Sequence, residues 1–486
     1  MASVLQRLFA VRSVDSIVGD LEKSPPLKRV LTAKSLTAIG LGSTIGTGIF
    51  ILTGTVAGNH AGPALVLALL IAAIGSGFAA ICYAEFAAMI PVSGSAYTYS
   101  YATLGEAIAW IIGWNLSLEY MMSASAVAVG WSEYVVNLLG EWGVSFPSAL
   151  INAPFGKTAN GTLGLTGAIV NLPAVLIIFA LGAVCYVGVR ESSTANTIMV
   201  FIKVAVIVVF VLAGLSFVET SNWVPFIPEN TGKFGEFGWS GVLQGAGIIF
   251  FSYIGFDAAS TTAREARNPA RDVPLGILGA LVISAVLYVA MAAVMTGMVP
   301  YPQLNAAAPV AVALDAHPEI AWLGALVKVG AIAGMTSVIL MSLLGQPRIL
   351  LSMAHDGLLP KSVSKVHPRF RTPHVATAWT VLIAALIAGL FPLNVLGELI
   401  SIGILFAFTV VCIGVLVLRY TRPDLERPFR VPFAPVTCVL GAIVCGGMTY
   451  FLPLDTWWRM GIWTALGFAF YALYGYRHSR LRAEGR

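Results

Sequence analysis

Two short stretches hold the residues best suited to chemistry. The first, "GLGSTIGTGIFILTG" (40–54), sets five glycines among apolar residues, with Ser43, Thr44 and Thr47 near its middle. The second, "GAGIIFFSYIGFDAAST" (245–261), has small residues around Ser252, then Gly255 and the acid Asp257. Glycine is the poorest helix-interior residue after proline, so each run predicts a helix that comes apart. Such a break bares N–H groups at the start of one half-helix and C=O groups at the end of the other. The N–H end attracts an anion such as a carboxylate, and the C=O end attracts an ammonium. One amino acid carries both charges side by side. A close helix crossing through small residues is the alternative reading of the same glycines.

The elements that must position these stretches follow from composition. The chain has 486 residues, 58% hydrophobic and 10% charged, whereas soluble domains carry about 25% charged residues. Its long apolar runs match the ~20 residues that a membrane-crossing helix needs, and they are not the short alternating segments of a membrane barrel. The expected fold is an all-α membrane protein of twelve helices, over 36–58, 63–89, 104–138, 166–188, 194–218, 239–262, 275–299, 320–346, 374–391, 394–418, 433–453 and 457–476. These are spans 1 to 12 below. No cleavable signal peptide is expected, and "SVLQRLFAVRSVDSIVGDL" reads equally as a helix lying on the membrane surface or as a disordered tail.

The two termini and the loops after spans 2, 4, 6, 8 and 10 hold 23 of the 28 Lys and Arg residues. The opposite loops hold Lys157, Lys233 and Arg459, while Lys203 and Lys328 lie inside spans. Basic residues stay inside, so both termini are expected in the cytoplasm, and the net charge of +5 reports topology and no nucleic-acid partner. The five cysteines fall within spans, which argues against a disulfide framework. The six histidines fall in expected loops, so no haem or metal pair is expected. Phosphate-loop, HExxH and GxSxG motifs are missing, and no cofactor is expected.

Spans 1 and 6 lie five apart. Because five is odd, a repeated five-helix unit returns upside down in the membrane, and paired interrupted spans in two inverted halves point to a transporter site. The segments "GSTIGTGIF", "YAEFAAMIPVSGSAYTYSYATLGE" and "FFSYIGFDAASTTAREARNPARDVPLGI" make the chain similar to the amino acid–polyamine–organocation superfamily, in its cationic amino acid transporter branch and of prokaryotic type. The resemblance implies a LeuT-like fold of two inverted five-helix repeats, residues 36–218 and 239–418, with discontinuous helices 1 and 6. Two peripheral helices (433–476), a cytoplasmic N-terminal segment (1–35) and a cytoplasmic tail (477–486) complete it.

In that family the unwound centres of spans 1 and 6 hold the amino acid backbone. Carried over, amides around Gly46, Thr47 and Gly48 meet the carboxylate, and the hydroxyls of Ser43 and Thr44 add hydrogen bonds. Carbonyls around Leu41, Gly42, Phe250, Phe251 and Ile254 meet the ammonium, with Phe251 also serving as a gate. Lys203 lies roughly 15 Å deep in span 5 at 1.5 Å per residue, too deep for easy snorkelling. It is expected to reach the broken span 1, in the place where related carriers hold sodium, and to couple transport to protons or stabilise the inward-open state; a buried structural ion pair is the alternative reading. Lys328, near the outer end of span 8, reads as a snorkelled end residue.

Acids within spans suggest function by default. Glu119, with Tyr120 beside it, is expected at the side-chain end of the pocket or on a proton path, and reads equally as a paired structural acid. Asp257 is expected to recognise a cationic side chain or to brace span 6. Glu85 reads as an inner-gate or packing residue. Met335, with Thr336, is expected as the floor, favouring small neutral substrates where the family name favours cationic ones. The expected function is secondary uptake of an L-amino acid with protons by alternating access. Amino acid exchange is the alternative mode, and a non-transporting membrane sensor is the alternative of another class; an enzyme is not expected. The expected partners are the substrate, protons, the lipid bilayer of a prokaryotic plasma membrane and a small accessory membrane subunit.

Overall fold

The computed structural model describes residues 9–14, 16–17, 19, 29, 31–90, 94–157, 163–187, 192–306, 308–370 and 372–484. Most of the N-terminal segment, with its expected surface helix, therefore lies outside the described residues. The described chain is mostly helical. Six helical segments are long and apolar enough to cross a membrane by length and composition: Gly48–Met89, Asn196–Phe217, Gly238–Thr261, Pro269–Met298, Leu323–His355 and Val395–Thr421. A seventh is added if the pair Ala434–Tyr450 and Leu454–Arg482, bent by 110°, counts as one. Leu172–Val187 and His374–Leu390 are shorter apolar helices. The 36-residue helix Glu106–Glu141 is long enough to cross but carries Asn115, Glu119 and Glu133 among its apolar residues.

The chain is not wholly α. Phe155–Lys157 and Leu163–Leu165 pair antiparallel, with Phe155 opposite Leu165, so the helix expected from 166 starts instead at Leu172. Between spans 2 and 3 a short helix, Ser95–Thr103, occupies what reads in sequence as a loop.

Span 1 begins at Thr32, whose side chain accepts the Ser35 amide and caps the helix Ala33–Thr44. The helix then stops. Ile45 is extended, with φ −77° and ψ 102°, and wide turns resume at Gly48–Leu52. Span 6 behaves alike. The helix Gly238–Ile249 tightens over Phe250–Tyr253, Ile254 is extended (φ −65°, ψ 140°), and a single helical turn resumes at Ala258–Thr261. Gly255, at φ +113°, takes a conformation that L side chains avoid. Spans 3 (Glu106–Glu141) and 8 (Leu323–His355) run unbroken and pack along each other beside these breaks.

Candidate functional site

The two broken spans cross antiparallel. A methyl group added at Gly48 would fall 2.6 Å from the Ser252 Cα, and one at Gly255 would fall 2.7 Å from the Ser43 carbonyl oxygen. Backbone therefore meets backbone at both crossings. These glycines have a packing duty whatever else they do, because overfilling a packed interior forces the backbone to move. Gly46 faces a side-chain methyl of Val338 in span 8, at 2.9 Å from an added Cβ.

The break in span 1 releases carbonyls, and the structure shows where they go. Lys203, fully buried, donates to Gly42 O at 2.7 Å, Ile45 O at 2.8 Å and Ser337 Oγ at 3.0 Å. All three ammonium donors are thereby used, and spans 1, 5 and 8 are tied at one point. Tyr288 of span 7 donates to Thr44 O at 3.0 Å, and Tyr134 of span 3 to Phe50 O at 2.9 Å. Leu41 O accepts the Ile45 amide. The hydroxyls of Ser43 and Thr44 donate to Ile39 O and Gly40 O of their own helix. On the other side of the break, the amides of Gly46 and Thr47 find no backbone carbonyl among the described residues, and Thr47 Oγ1 is buried without a partner.

Next to the crossing lies a cavity of about 20 Å³, lined by Ser43 of span 1, Glu119, Tyr120 and Ser123 of span 3, Ile254, Gly255, Asp257 and Ala258 of span 6, and Met341 and Ser342 of span 8. A volume of this order holds one water molecule, so the described conformation leaves no room for an amino acid at this point. Two acids face the space. Glu119 Oε2 and Asp257 Oδ2 are buried and take no hydrogen bond among the described residues. Buried polar atoms are rarely left so unless a site needs them.

The expected residues divide into groups. Ser43, Ile254, Asp257, Glu119 and Tyr120 come together at the cavity. Gly42 and Lys203 meet on the face of span 1 tied to spans 5 and 8. Phe250 stacks edge-on against Phe408, and Phe251 is buried outside the cavity lining. Met335 is fully buried but does not line the cavity; Met341, on the same helix, does. Ser123, Ala258, Met341 and Ser342 were not expected from the sequence.

Two other charges have structural partners. Lys328 is 2% exposed and pairs with the half-exposed Glu141 near the end of span 3; that partner, 187 residues away, is invisible to a local reading. Glu85 accepts from Arg419 of span 10 and from the Val431 amide. At the same end of the molecule, Glu106 is fully buried and accepts from Tyr101, Tyr471, Ser479 and Arg482. Asp356 accepts from Tyr97 at 2.6 Å and Arg12 at 2.8 Å. Burial raises the Asp356 carboxyl above its ordinary value, against the pull of Tyr97 and Arg12. Arg12 and Arg482 thus fasten both ends of the chain around the helix Ser95–Thr103.

Residues 31–476 match the amino acid permease family. The chain is 44% identical to the methylthioribose transporter of Bacillus subtilis, over 98% of this chain and 100% of that protein. It is 42% identical to the branched-chain amino acid permease BcaP of the same organism, over 98% and 99%. The vacuolar cationic amino acid transporter 4 of Arabidopsis thaliana is 40% identical over 86% of this chain and 68% of its own. The family and these relatives are transporters. A match running from the first helix to the last, in a chain with several membrane-length helices, admits one conclusion: this multi-pass membrane protein belongs to the amino acid permease family, within the amino acid–polyamine–organocation superfamily.

Proposed function

We propose that the protein is a secondary amino acid carrier that alternates access around the cavity at the crossing of spans 1 and 6. The observation that carries this reading is the pair of breaks at Ile45 and at Ile254–Gly255, antiparallel and in contact. In this reading twelve helices form two inverted repeats, 36–218 and 239–418, with helices over 433–476 outside them. Both termini lie in the cytoplasm and the membrane is the plasma membrane. The amides of Gly46, Thr47 and Gly48 receive the substrate carboxylate. Carbonyls of span 6 at its break, around Phe250 and Ile254, receive the ammonium, because the Gly42 carbonyl is already engaged by Lys203.

The side chain of the substrate points toward Glu119, Asp257 and Met341. The two acids would pair a cationic group, and the thioether limits the length of a neutral one. Lys203 stands where a bound cation would otherwise hold spans 1, 5 and 8 together, and protons are the coupling ion. The relatives named for branched-chain and for cationic amino acids support an amino acid substrate. A second reading has a specific support: the relative named as a methylthioribose transporter points to a neutral substrate that binds without a carboxylate or ammonium.

Uptake into proteoliposomes separates these readings. Radiolabelled L-leucine, L-lysine and methylthioribose are offered with and without an inward proton gradient. Gradient-driven entry of an amino acid supports the proposal. Entry of methylthioribose alone replaces it with the second reading, and entry only against a preloaded amino acid makes the protein an exchanger.

A further inference from the structure

On the side of the cavity toward the Glu85–Arg419 end lie two tyrosines. Tyr83 of span 2 and Tyr99 of the helix Ser95–Thr103 are fully buried, and among the described residues neither hydroxyl makes a hydrogen bond of full geometry, although Ser260 lies close enough to Tyr99 to act on it. Their rings meet edge-on at 6.1 Å. The Tyr83 ring also lies 6.2 Å from Phe256, the residue before Asp257. One turn before Tyr99, on the same helix, the Ser95 hydroxyl is 3.3 Å from that of Ser260 in span 6. A phenol in the interior normally finds a hydrogen-bond partner. Two adjacent ones without a partner add to Glu119 Oε2 and Asp257 Oδ2 as buried polar atoms that take no hydrogen bond among the described residues, all in an otherwise apolar core.

We propose that Tyr83 and Tyr99 form a proton relay that joins Asp257 and Glu119 to the cytoplasmic face through Ser260 and Ser95. This rests on the proton-coupled reading above. The ionisable groups within electrostatic reach of Asp257 are Glu119 and Tyr120 of span 3, Tyr83 of span 2 and Tyr99, with Arg348 of span 8 acting on Tyr120. Lys203 is not part of the relay, since its donors are committed to Gly42, Ile45 and Ser337. In the relay step, the O–H bond of the protonated Asp257 breaks and a bridging water takes the proton. The water passes one of its own protons to a tyrosine oxygen. The tyrosine releases its original hydroxyl proton toward Ser260, and the last proton ends on cytoplasmic water. Neither tyrosine keeps a charge, so what each supplies is a hydroxyl that both accepts and donates.

The test uses the full chain in proteoliposomes containing a pH-sensitive dye, with L-leucine, or the L-amino acid that the unaltered protein takes up fastest, added outside. Two rates are read: substrate-driven acidification of the interior, and exchange of labelled for unlabelled substrate at equal pH. Tyr99→Phe and the pair Tyr83→Phe/Tyr99→Phe keep the rings and remove only hydroxyls. Acidification is expected to fall by about a hundredfold in the pair, the scale of a lost proton-transfer group, while exchange stays within about twofold. Both rates unchanged overturns the relay. Both rates lost in parallel overturns it too, because a merely structural role would do that; Ser260→Ala, which alters the relay at its far end, is then read to confirm the parallel loss. If the unaltered protein transports without acidifying the interior, the proton-coupled reading fails and the relay falls with it.

Discussion

The ammonium of Lys203 lies 2.7 Å from the carbonyl oxygen of Gly42, the last but two residue of the first half of span 1. A broken helix in the membrane interior must satisfy the backbone groups it frees, and here one side chain from span 5 does so at two carbonyls. Lys203→Met keeps the chain length and removes the donors. Each carbonyl left without a partner costs about 1–3 kcal/mol. The expected outcome is a lower unfolding temperature in detergent and net uptake reduced by about tenfold or more, the equivalent of ~1.4 kcal/mol. Uptake and stability equal to the unaltered protein would show that the break does not depend on this contact.

Gly48→Ala tests the crossing. Its methyl group would meet the Ser252 Cα at 2.6 Å, and neither backbone can step aside alone. Overpacking of this kind costs about 1–3 kcal/mol, so uptake is expected to collapse with the protein still in the membrane. Ser252→Gly on top of it removes the contacts with Oγ and Cβ but not with Cα, and restores uptake only in part. Gly446→Ala, with nothing within 4 Å, is the control expected to leave uptake unchanged.

Met341 and Met335 separate the pocket wall from the surrounding core. Six residues apart, they point about 120° away from each other around the helix. Met341→Ser is expected to enlarge the cavity and admit longer or cationic amino acids, measured by competition against labelled L-leucine. Met335→Ser should leave the order of preference unchanged and lower stability. The reverse pattern would move the pocket to the other face of span 8.

Glu106 makes a separate stability prediction. Arg482→Ala leaves a fully buried carboxylate with hydroxyl donors alone. Breaking a buried pair on one side costs about 3–5 kcal/mol. A clear fall in thermal stability is expected, and Glu106→Gln combined with Arg482→Ala should recover part of it. Equal stability of the single and double variants would place the pair outside the fold's energetics.

Asp356 gives the pH prediction. Its carboxyl titrates above the ordinary value of 3.8 because burial outweighs Tyr97 and Arg12. A carboxyl raised in the folded state favours folding when protonated, so its contribution is full below the unfolded value and is lost as pH rises through the folded one. The unfolding temperature of the unaltered protein should therefore drop, relative to Asp356→Asn, as pH climbs through this window. A constant difference between the two across that range would remove Asp356 as the source.

The legibility of the chain varied with how local each signal was. The run of glycines and Asp257 mark the breaks within a residue or two, because weak helix formers in an apolar span are a local signal. The residue that is actually extended in span 1 is Ile45, flanked by the glycines, since Gly46 and Gly48 are occupied by contacts with Val338 and Ser252. The depth of Lys203 points toward the centre of the bundle. The fate of Lys328 could not be read, because Glu141 approaches from another helix. Nor could the choice of Met341 over Met335, because a helix apolar on all sides hides which face it turns inward. The clasp around the helix Ser95–Thr103, in which Arg12 holds Asp356 and Arg482 holds Glu106, depends on residues at opposite ends of the sequence.

That clasp has a practical consequence. The stretches around Arg12 and Arg482 sit on one corner, so fluorophores attached beside these two residues ride within energy-transfer distance of each other. Any loosening of the corner during turnover becomes an optical signal that needs no label near the substrate.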